Sequence, residues 1–218
     1  MIYLLSMVKH LCKEEYFVLL PEKAMIWEAQ NTLILADLHL GKVTHFRKSG
    51  MPVPRSAELD NYDRLSFLIL NNNIEKVLIL GDLFHSRHNS EWDVFKDFLA
   101  RFPNIQFELV LGNHDILELE RYEIPNLTLW GEQLELGPFL FSHEPVESAD
   151  LYNICGHIHP GIKMFGVGRQ SMRLPCFYFA ENQAILPAFG AFTGLYCLDV
   201  KKEDRVFVIA EDSIIDVG

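Results

Sequence analysis

The chain has 218 residues, of which 49% are hydrophobic and 22% charged. This composition excludes a disordered or fibrous protein and provides enough apolar area for a core without disulfides. Nineteen basic and thirty acidic residues give a net charge of −11. Such a charge argues against a broad basic surface, although bound cations can reverse the sign locally. Because the sequence has no repeat and no linker, we expect a single domain spanning residues 1–218.

The sequence also limits the compartment in which the protein works. No apolar stretch approaches the roughly 18 residues that cross a bilayer. Lys9, His10 and Lys13 interrupt the first apolar run, which is atypical of a signal peptide. The four cysteines form no CxxC pair, so neither a zinc ribbon nor a redox motif is present. We therefore expect a cytoplasmic protein with reduced thiols and no membrane partner.

Hydrophobic patterning predicts a chain rich in strands. Helical periodicity over 55–71 and 91–101 places two helices between strands of the N-terminal half, whereas the C-terminal half is nearly all strand and turn. Near-continuous apolar strands are typical of a sheet buried under helices. We expect a mixed α/β fold in which two sheets pack face to face and are flanked by helices. The predicted strands are 16–20, 24–28, 32–36, 76–80, 105–111, 139–142, 151–155, 163–167, 176–181, 184–187, 195–199 and 205–210.

Five of these strands are followed by Asp, Asn or His. A single polar residue after a strand is usually an ordinary turn residue. A Gly-Asn-His-Asp sequence, however, is expected by chance only roughly 0.0015 times in a chain of this composition. Since open α/β folds bind ligands at the carboxyl ends of their strands, we expect these side chains to meet at one rim. They are Asp37 and His39, Asp82 and His85, Asn113, His114 and Asp115, His143, and His157 and His159.

The seven residues of this set that best suit a metal offer carboxylate, imidazole and amide groups but no thiolate. Such groups select Mn²⁺, Fe²⁺ or Zn²⁺. Seven ligands are too many for one tetrahedral ion and suit two ions about 3.5–4 Å apart that share a carboxylate. A two-metal centre lowers the pKa of a bridging water and binds phosphoryl oxygens, so phosphate-ester hydrolysis is the favoured reaction. The seven candidates are Asp37, His39, Asp82, Asn113, His143, His157 and His159.

The order of the motifs resembles the calcineurin-like metallophosphoesterase superfamily over about residues 32–160. The motifs are Asp-x-His, Gly-Asp-x-x-His, Gly-Asn-His-Asp, a lone His and Gly-His-x-His. The resemblance implies a four-layer αββα sandwich with its site at one rim. It also implies the ligand sets: Asp37, His39 and His159 on the first metal, Asp82 on both, and Asn113, His143 and His157 on the second.

The same resemblance implies a mechanism. A hydroxide that bridges the two metals would attack the phosphorus, and His114 would protonate the leaving oxygen. Asp115 would orient His114. The expected cofactors are two divalent ions, with Mn²⁺ favoured and Fe²⁺ or Zn²⁺ as alternatives.

A narrower resemblance covers roughly residues 16–197. The segments 36–42, 46–54, 173–177 and 186–194 are similar to those of the bacterial ligase-associated DNA damage response endonucleases, the PdeM subfamily. This resemblance implies a DNA endonuclease acting in DNA repair, with single-stranded DNA as the favoured substrate. It further implies an ATP-dependent DNA ligase, a helicase and an exonuclease as partners. The oligomeric state is left open.

Three residues near the motifs have two interpretations each. Arg47 and Arg55 could contact substrate phosphates or could be solvated surface charges. His85 could hold Asp82 in position without touching a metal ion, or it could be a packed loop histidine.

Two other functions compete with the endonuclease. The acidic composition also fits a nucleotide or other small-molecule phosphodiesterase, or a phosphomonoesterase. A non-catalytic scaffold that keeps the fold is less favoured, because His114 and all seven metal candidates are present.

Overall fold

A computed structural model describes residues 7–42, 56–84, 91–113, 115, 122–166, 170–191 and 193–218. Four of the predicted functional residues lie outside the described residues: Arg47, Arg55, His85 and His114.

The first sheet has seven strands in the order β1-β2-β3-β4-β5-β6-β7. The strands up to β4 form an antiparallel meander, and β4 to β7 run parallel. Parallel neighbours need crossovers, and α1 (Ser56–Asn71) and α2 (Glu91–Ala100) provide the two that link β4, β5 and β6. The strands are β1 (Val8–Cys12), β2 (Glu15–Leu20), β3 (Ala24–Trp27), β4 (Thr32–Ala36), β5 (Lys76–Leu80), β6 (Gln106–Val110) and β7 (Leu127–Trp130), with a short 3₁₀ turn at Glu28–Gln30.

The second sheet has nine strands and mixed directions. Seven follow the order β14-β11-β12-β13-β10-β9-β8, while β15 pairs with β12 and β16 with β15. The parallel pairs are β9 with β10, β10 with β13 and β11 with β14. The strands are β8 (Gln133–Leu136), β9 (Phe139–Ser142), β10 (Tyr152–Cys155), β11 (Pro160–Phe165), β12 (Ser171–Phe179), β13 (Gln183–Ile185), β14 (Tyr196–Cys197), β15 (Arg205–Ala210) and β16 (Ser213–Asp216).

Alternating side chains of the parallel strands build two cores. On β4, Leu33 and Leu35 pack under the helices, whereas Ile34 packs between the two sheets. The helices contribute residues such as Leu65 and Phe95 to the first core. Burial on both faces explains why these strands read as continuous apolar runs. The mixed α/β fold with two packed sheets is therefore confirmed.

Both described helices cover the first sheet. In the described residues, the outer face of the second sheet carries a smaller cluster, against which loop and hairpin side chains such as Ile158, Ile162 and Leu174 pack. Neither α1 nor α2 has the length and apolar character of a membrane-spanning helix. All four cysteines are free thiols.

Several strand predictions need correction. The predicted strand 163–167 instead begins at Pro160 and ends at Phe165. A proline is tolerated as the first residue of a strand, so it does not mark a break there. Four strands were not predicted: β1, β7, β8 and β16.

Candidate metal centre

The strand ends converge on one rim, as predicted. Side chains from the two sheets form two clusters there, and within each cluster the potential ligand atoms lie within 4.8 Å of one another. Each cluster takes residues from both sheets. The first consists of Asp37, His39 and His159, and the second of Asp82, His143 and His157.

The residues of the rim have an unusual backbone. Five of the six cluster residues have positive φ, between 48° and 67°. Residues other than glycine pay roughly 1–2 kcal/mol each for this left-handed conformation. Hydrogen bonds between the loops compensate: the amides of His39 and Leu40 donate to the carbonyls of Asp82 and Leu83 at 2.9 and 2.8 Å. Strain of this kind is typical of functional sites.

In the first cluster, the Asp37 carboxylate is fully buried. Its Oδ2 accepts a hydrogen bond from the backbone amide of His157 at 2.9 Å. Its Oδ1 lies 3.4 Å from His159 Nε2. The imidazoles of His39 and His159 face each other with their Nε2 atoms 3.4 Å apart. These atoms surround a space in which one ion would contact all three side chains.

In the second cluster, the His143 ring is fixed by its Nδ1 atom, 3.1 Å from the carbonyl oxygen of Leu80. A carbonyl only accepts, so the neutral ring carries its proton on Nδ1 and turns the Nε2 lone pair toward the cluster. This Nε2 lies 3.0 Å from Asn113 Oδ1 and 3.0 Å from His157 Nδ1. Asn113, a predicted ligand of the second metal, therefore lies beside the second cluster.

The Asp82 carboxylate lies between the two clusters. Its Oδ2 is 3.8 Å from His39 Nε2, and its Oδ1 is 3.3 Å from His143 Nε2. One oxygen thus faces each cluster. This is the arrangement that a carboxylate bridging two ions would have.

The groups present fit divalent cations. Asp37 Oδ1 is buried and accepts no hydrogen bond from the described residues. In the second cluster, the Asp82 and Asn113 oxygens and the His143 lone pair converge, although none of these can donate to another in that form. Converging acceptors around the buried carboxylates of Asp37 and Asp82 are costly without a cation to contact them. The two Asp/His clusters therefore constitute a site suited to two metal ions.

Two glycines of the sequence motifs allow this close packing. Gly81 has a φ of 69°, and a β-carbon there would collide with the His143 ring. A β-carbon at Gly156 would lie 2.6 Å from both Ala36 Cβ and Asp37 Oδ2. The glycines of Gly-Asp-x-x-His and Gly-His-x-His are thus required by the space that the ligands occupy.

Asp115 connects two loops of the rim. Its Oδ2 accepts from the amide of Gly112 at 2.9 Å and its Oδ1 from the amide of Phe84 at 3.3 Å. Burial raises the pKa of Asp115 to about 6, and these hydrogen bonds offset only part of the effect. Asp115 therefore fixes the loop that carries Asn113 against the loop that follows β5. Its predicted partner His114 lies outside the described residues.

A clasp formed by Arg64 and the segment 186–190 was not predicted as part of the site. Phe189 and Gly190 donate their amides to the carbonyls of Ala36 and Asp37 at 2.8 and 2.9 Å. On the other side of the segment, Arg64 of α1 donates to the Phe189 carbonyl. The clasp holds the backbone around Asp37. The segment 186–194 is recognisable in the sequence, but no local pattern links it to Arg64.

Lys42 is a second basic residue near the centre to which no sequence pattern assigns a role. Burial lowers the pKa of its ammonium, and the carboxylates of Asp37 and Asp82 offset part of this shift. Its amide donates to the His39 carbonyl at 3.2 Å. It lies three residues after the histidine of the Asp-x-His motif, close enough to interact with the carboxylates of Asp37 and Asp82.

The site opens toward solvent next to the second cluster. Asn113 is exposed, and it borders a depression of about 430 Å³ that His143 also lines. Glu132 and Glu144 line the same depression, so its far side is acidic.

The comparisons with known proteins agree with this geometry. The sequence pattern of the family described as Calcineurin-like phosphoesterase matches residues 31–180. The chain belongs to this family, and it is a metal-dependent phosphoesterase, a hydrolase.

One solved structure is particularly similar. The crystal structure of Pseudomonas putida nuclease MPE is 27% identical, superposes with a TM-score of 0.79, and is matched over 97% of this chain and 100% of that chain. A search of curated proteins found no significant match.

Proposed function

We propose that this protein is a DNA endonuclease that acts in DNA repair in the cytoplasm, using two metal ions, with Mn²⁺ favoured. The observation that carries the proposal is the pair of Asp/His clusters separated by Asp82, which has one carboxylate oxygen toward each cluster. The similarity to a nuclease over nearly the whole chain supports a nucleic-acid substrate. An ATP-dependent DNA ligase, a helicase and an exonuclease are the partners expected for this function.

The contacts of the rim residues support the roles proposed for them. Asp37, His39 and His159 would hold the first ion, and Asn113, His143 and His157 the second, with Asp82 on both. When bound, the ions would supply an activated water and Lewis acidity toward the phosphate. The chain itself keeps the ligands fixed: Leu80 orients the His143 ring, and the His157 amide orients the Asp37 carboxylate.

The chain also supplies the proton for the leaving group. His114 would donate it to the oxygen that departs as the P–O bond breaks, because an alkoxide leaves poorly unless protonated. The hydrogen bonds of Asp115 to Gly112 and Phe84 fix the backbone on one side of His114. Arg47 and Arg55 would contact substrate phosphates away from the metal ions.

A second candidate function is hydrolysis of a small phosphodiester, such as a nucleotide derivative. The acidic side of the depression favours it, because Glu132 and Glu144 would repel a long polyanion passing over Asn113. Both functions use the same metal chemistry.

The experiment that separates them is cleavage of circular single-stranded DNA in Mn²⁺. A circle has no ends, so only an endonuclease can make it linear. We expect the wild type to cut the circle and His114→Ala to lose the activity. His10→Ala is the matched control, because His10 lies on β1, three strands away from β4.

The result has three clear outcomes. Cutting by the wild type and by His10→Ala supports the endonuclease. If the circle stays intact while bis-p-nitrophenyl phosphate is hydrolysed, the small-diester function replaces it. No metal-dependent hydrolysis of either substrate would contradict the proposed catalytic centre.

A further inference from the structure

The β11–β12 hairpin begins directly at the candidate metal centre. His159 is followed at once by Pro160, the first residue of β11. Along the hairpin, Lys163 pairs with Arg173 and Phe165 with Ser171. Directly paired residues of antiparallel strands project from the same face of a sheet.

This face of the hairpin points away from the protein. The residues next in sequence, Ile162 and Leu174, pack against the outer core of the second sheet. Because neighbouring residues of a strand face opposite ways, Lys163 and Arg173 project from the other side. Both are exposed, and Phe165 is 75% exposed. The Lys163 ammonium lies 5.2 Å from the centre of the Phe165 ring.

The charges on this face violate a local rule of sheet stability. Two like charges directly opposite each other destabilise a strand pair. Neither Lys163 nor Arg173 forms an ion pair with an acidic side chain in the parts of the chain that the structure describes. A rule broken without compensation indicates that the arrangement serves another purpose.

The surrounding sequence is also depleted of acid. The whole chain has 30 acidic residues among 218, so an average 30-residue segment holds about four. The segment 151–180 has none, and its basic residues include Lys163 and Arg173. The hairpin is therefore a positive region in a chain whose net charge is −11.

Exposed cations beside an exposed aromatic ring are the two elements with which proteins bind single-stranded nucleic acid. The cations contact phosphates, and the ring stacks on a base of any identity. With a rise of about 3.3 Å per residue, Lys163 lies about 13 Å along the chain from His159 and Phe165 about 20 Å. A strand of a few nucleotides covers this distance.

We infer that the exposed face of β11–β12, with Lys163, Arg173 and Phe165, binds the single-stranded DNA substrate and leads it to the metal centre past His159. This inference rests on the proposed nuclease function and identifies the surface that gives the protein its affinity for single-stranded DNA. It also eases the conflict between an acidic protein and a polyanionic substrate, because the hairpin offers exposed cations within a segment that has no acidic residue.

The test measures binding of a fluorescent 20-nucleotide oligo-dT in EDTA, where metal-dependent cleavage cannot occur. For Lys163→Ala/Arg173→Ala, we expect roughly tenfold weaker binding. The slope of log K against log salt should fall by about 1.4, because each phosphate that is no longer neutralised lowers it by about 0.7. Phe165→Ala should weaken binding roughly 5- to 150-fold through loss of base stacking.

Two matched controls are available in the chain. Lys201→Ala/Lys202→Ala removes the same charge from another exposed pair. Leu70→Ala removes a side chain that is 72% exposed, on α1. Both controls should bind oligo-dT like the wild type, and every variant should hydrolyse bis-p-nitrophenyl phosphate within about twofold of it, since that substrate is too small to reach the hairpin.

The outcomes separate the inference from the function on which it rests. If the wild type cuts DNA and the hairpin variants bind oligo-dT with unchanged affinity and salt slope, the inference is wrong and the endonuclease stands. If the Lys201/Lys202 control weakens binding equally, the loss reflects net charge and not the hairpin, and the inference is wrong. If the wild type neither binds oligo-dT nor cuts DNA, both fail together.

Discussion

The guanidinium of Arg64 lies 4.1 Å from the centre of the Phe189 ring and donates a hydrogen bond to the carbonyl of the same residue. Phe189 and Gly190 in turn donate backbone hydrogen bonds to the carbonyls of Ala36 and Asp37. A side chain on a helix thus holds the segment that in turn holds a candidate metal ligand. Arg64 is a positioning residue and does not itself contact the metal centre.

We predict that Arg64→Met lowers the free energy of unfolding by about 2–4 kcal/mol, through loss of a charged hydrogen bond and a partly buried cation–π interaction. Mn²⁺ affinity should fall as well, because the Asp37 backbone loses support. Urea unfolding and Mn²⁺ titration measure the two effects. Arg101→Met is the control, since Arg101 lies 5.9 Å from the Phe98 and Phe102 rings. Equal stability of the two variants would contradict the clasp.

Removing the Asp82 carboxylate should affect both ions, and removing the His157 ring only one. Asp82 has an oxygen toward each cluster, whereas His157 belongs to the second. We expect Asp82→Ala to retain almost no Mn²⁺ and His157→Ala to retain about one ion per chain. Metal analysis after desalting measures both. Two ions persisting in Asp82→Ala would rule out the bridge.

His114→Ala should separate catalysis from metal binding. We expect its turnover to fall by roughly 10²–10⁴-fold, the usual size of a general-acid contribution, with both ions still bound. The loss should be largest for substrates with poor leaving groups, which depend most on protonation. Metal loss in this variant would assign His114 to the ligand shell instead.

Gly81→Ala should disturb the second cluster. A β-carbon at this position meets the His143 ring, and the φ of 69° adds strain for any residue other than glycine. We expect at least a tenfold loss of Mn²⁺ affinity, with lower stability. Gly131→Ala is the matched control, because nothing lies within 4 Å of its β-carbon position. If both alanine variants bind Mn²⁺ equally, His143 is not constrained in this way.

His10 predicts a pH dependence of stability. Burial against Phe179 and Phe207 lowers its pKa below the ordinary 6.5, and Arg205 adds to the effect while Asp216 opposes it. The unfolded chain then binds the proton more readily than the folded one. The folded state therefore keeps its full stability above about pH 6.5, where His10 is neutral in both states. It loses stability as the pH falls from there toward the folded-state pKa of His10. His10→Gln should lose less stability than the wild type between pH 7.5 and 5 in thermal unfolding; parallel curves would exclude this assignment.

The centre could be anticipated because its residues directly follow apolar strands. Asp37, Asp82 and Asn113 each come just after a buried parallel strand, a local pattern that the topology turns into spatial proximity. Arg64 could not be anticipated, since its contact with Phe189 spans 125 positions in the sequence. The left-handed backbone of five of the cluster residues could not be predicted either, because Asp and His, although enriched in this conformation, adopt an ordinary backbone at most positions.

The unpredicted strands share a physical cause. β1 alternates partly buried and exposed residues at the edge of the first sheet, with Lys9 and His10 in its middle. β16, also at an edge, has no fully buried residue. Edge strands need few apolar side chains, so hydrophobic patterning misses them. The starts of β11 and β12, which are not edge strands, were predicted at 163 and 176 but lie at Pro160 and Ser171.

Each cluster of the metal centre draws its side chains from both sheets: Asp37 and His39 from the first with His159 from the second, and Asp82 from the first with His143 and His157 from the second. An ion in either cluster would cross-link the two halves of the molecule. Its binding free energy would then add to the resistance of the whole protein to unfolding, in proportion to the logarithm of the free metal concentration. In cells short of metal, the protein would lose stability together with activity. Its abundance would then fall with the metal supply.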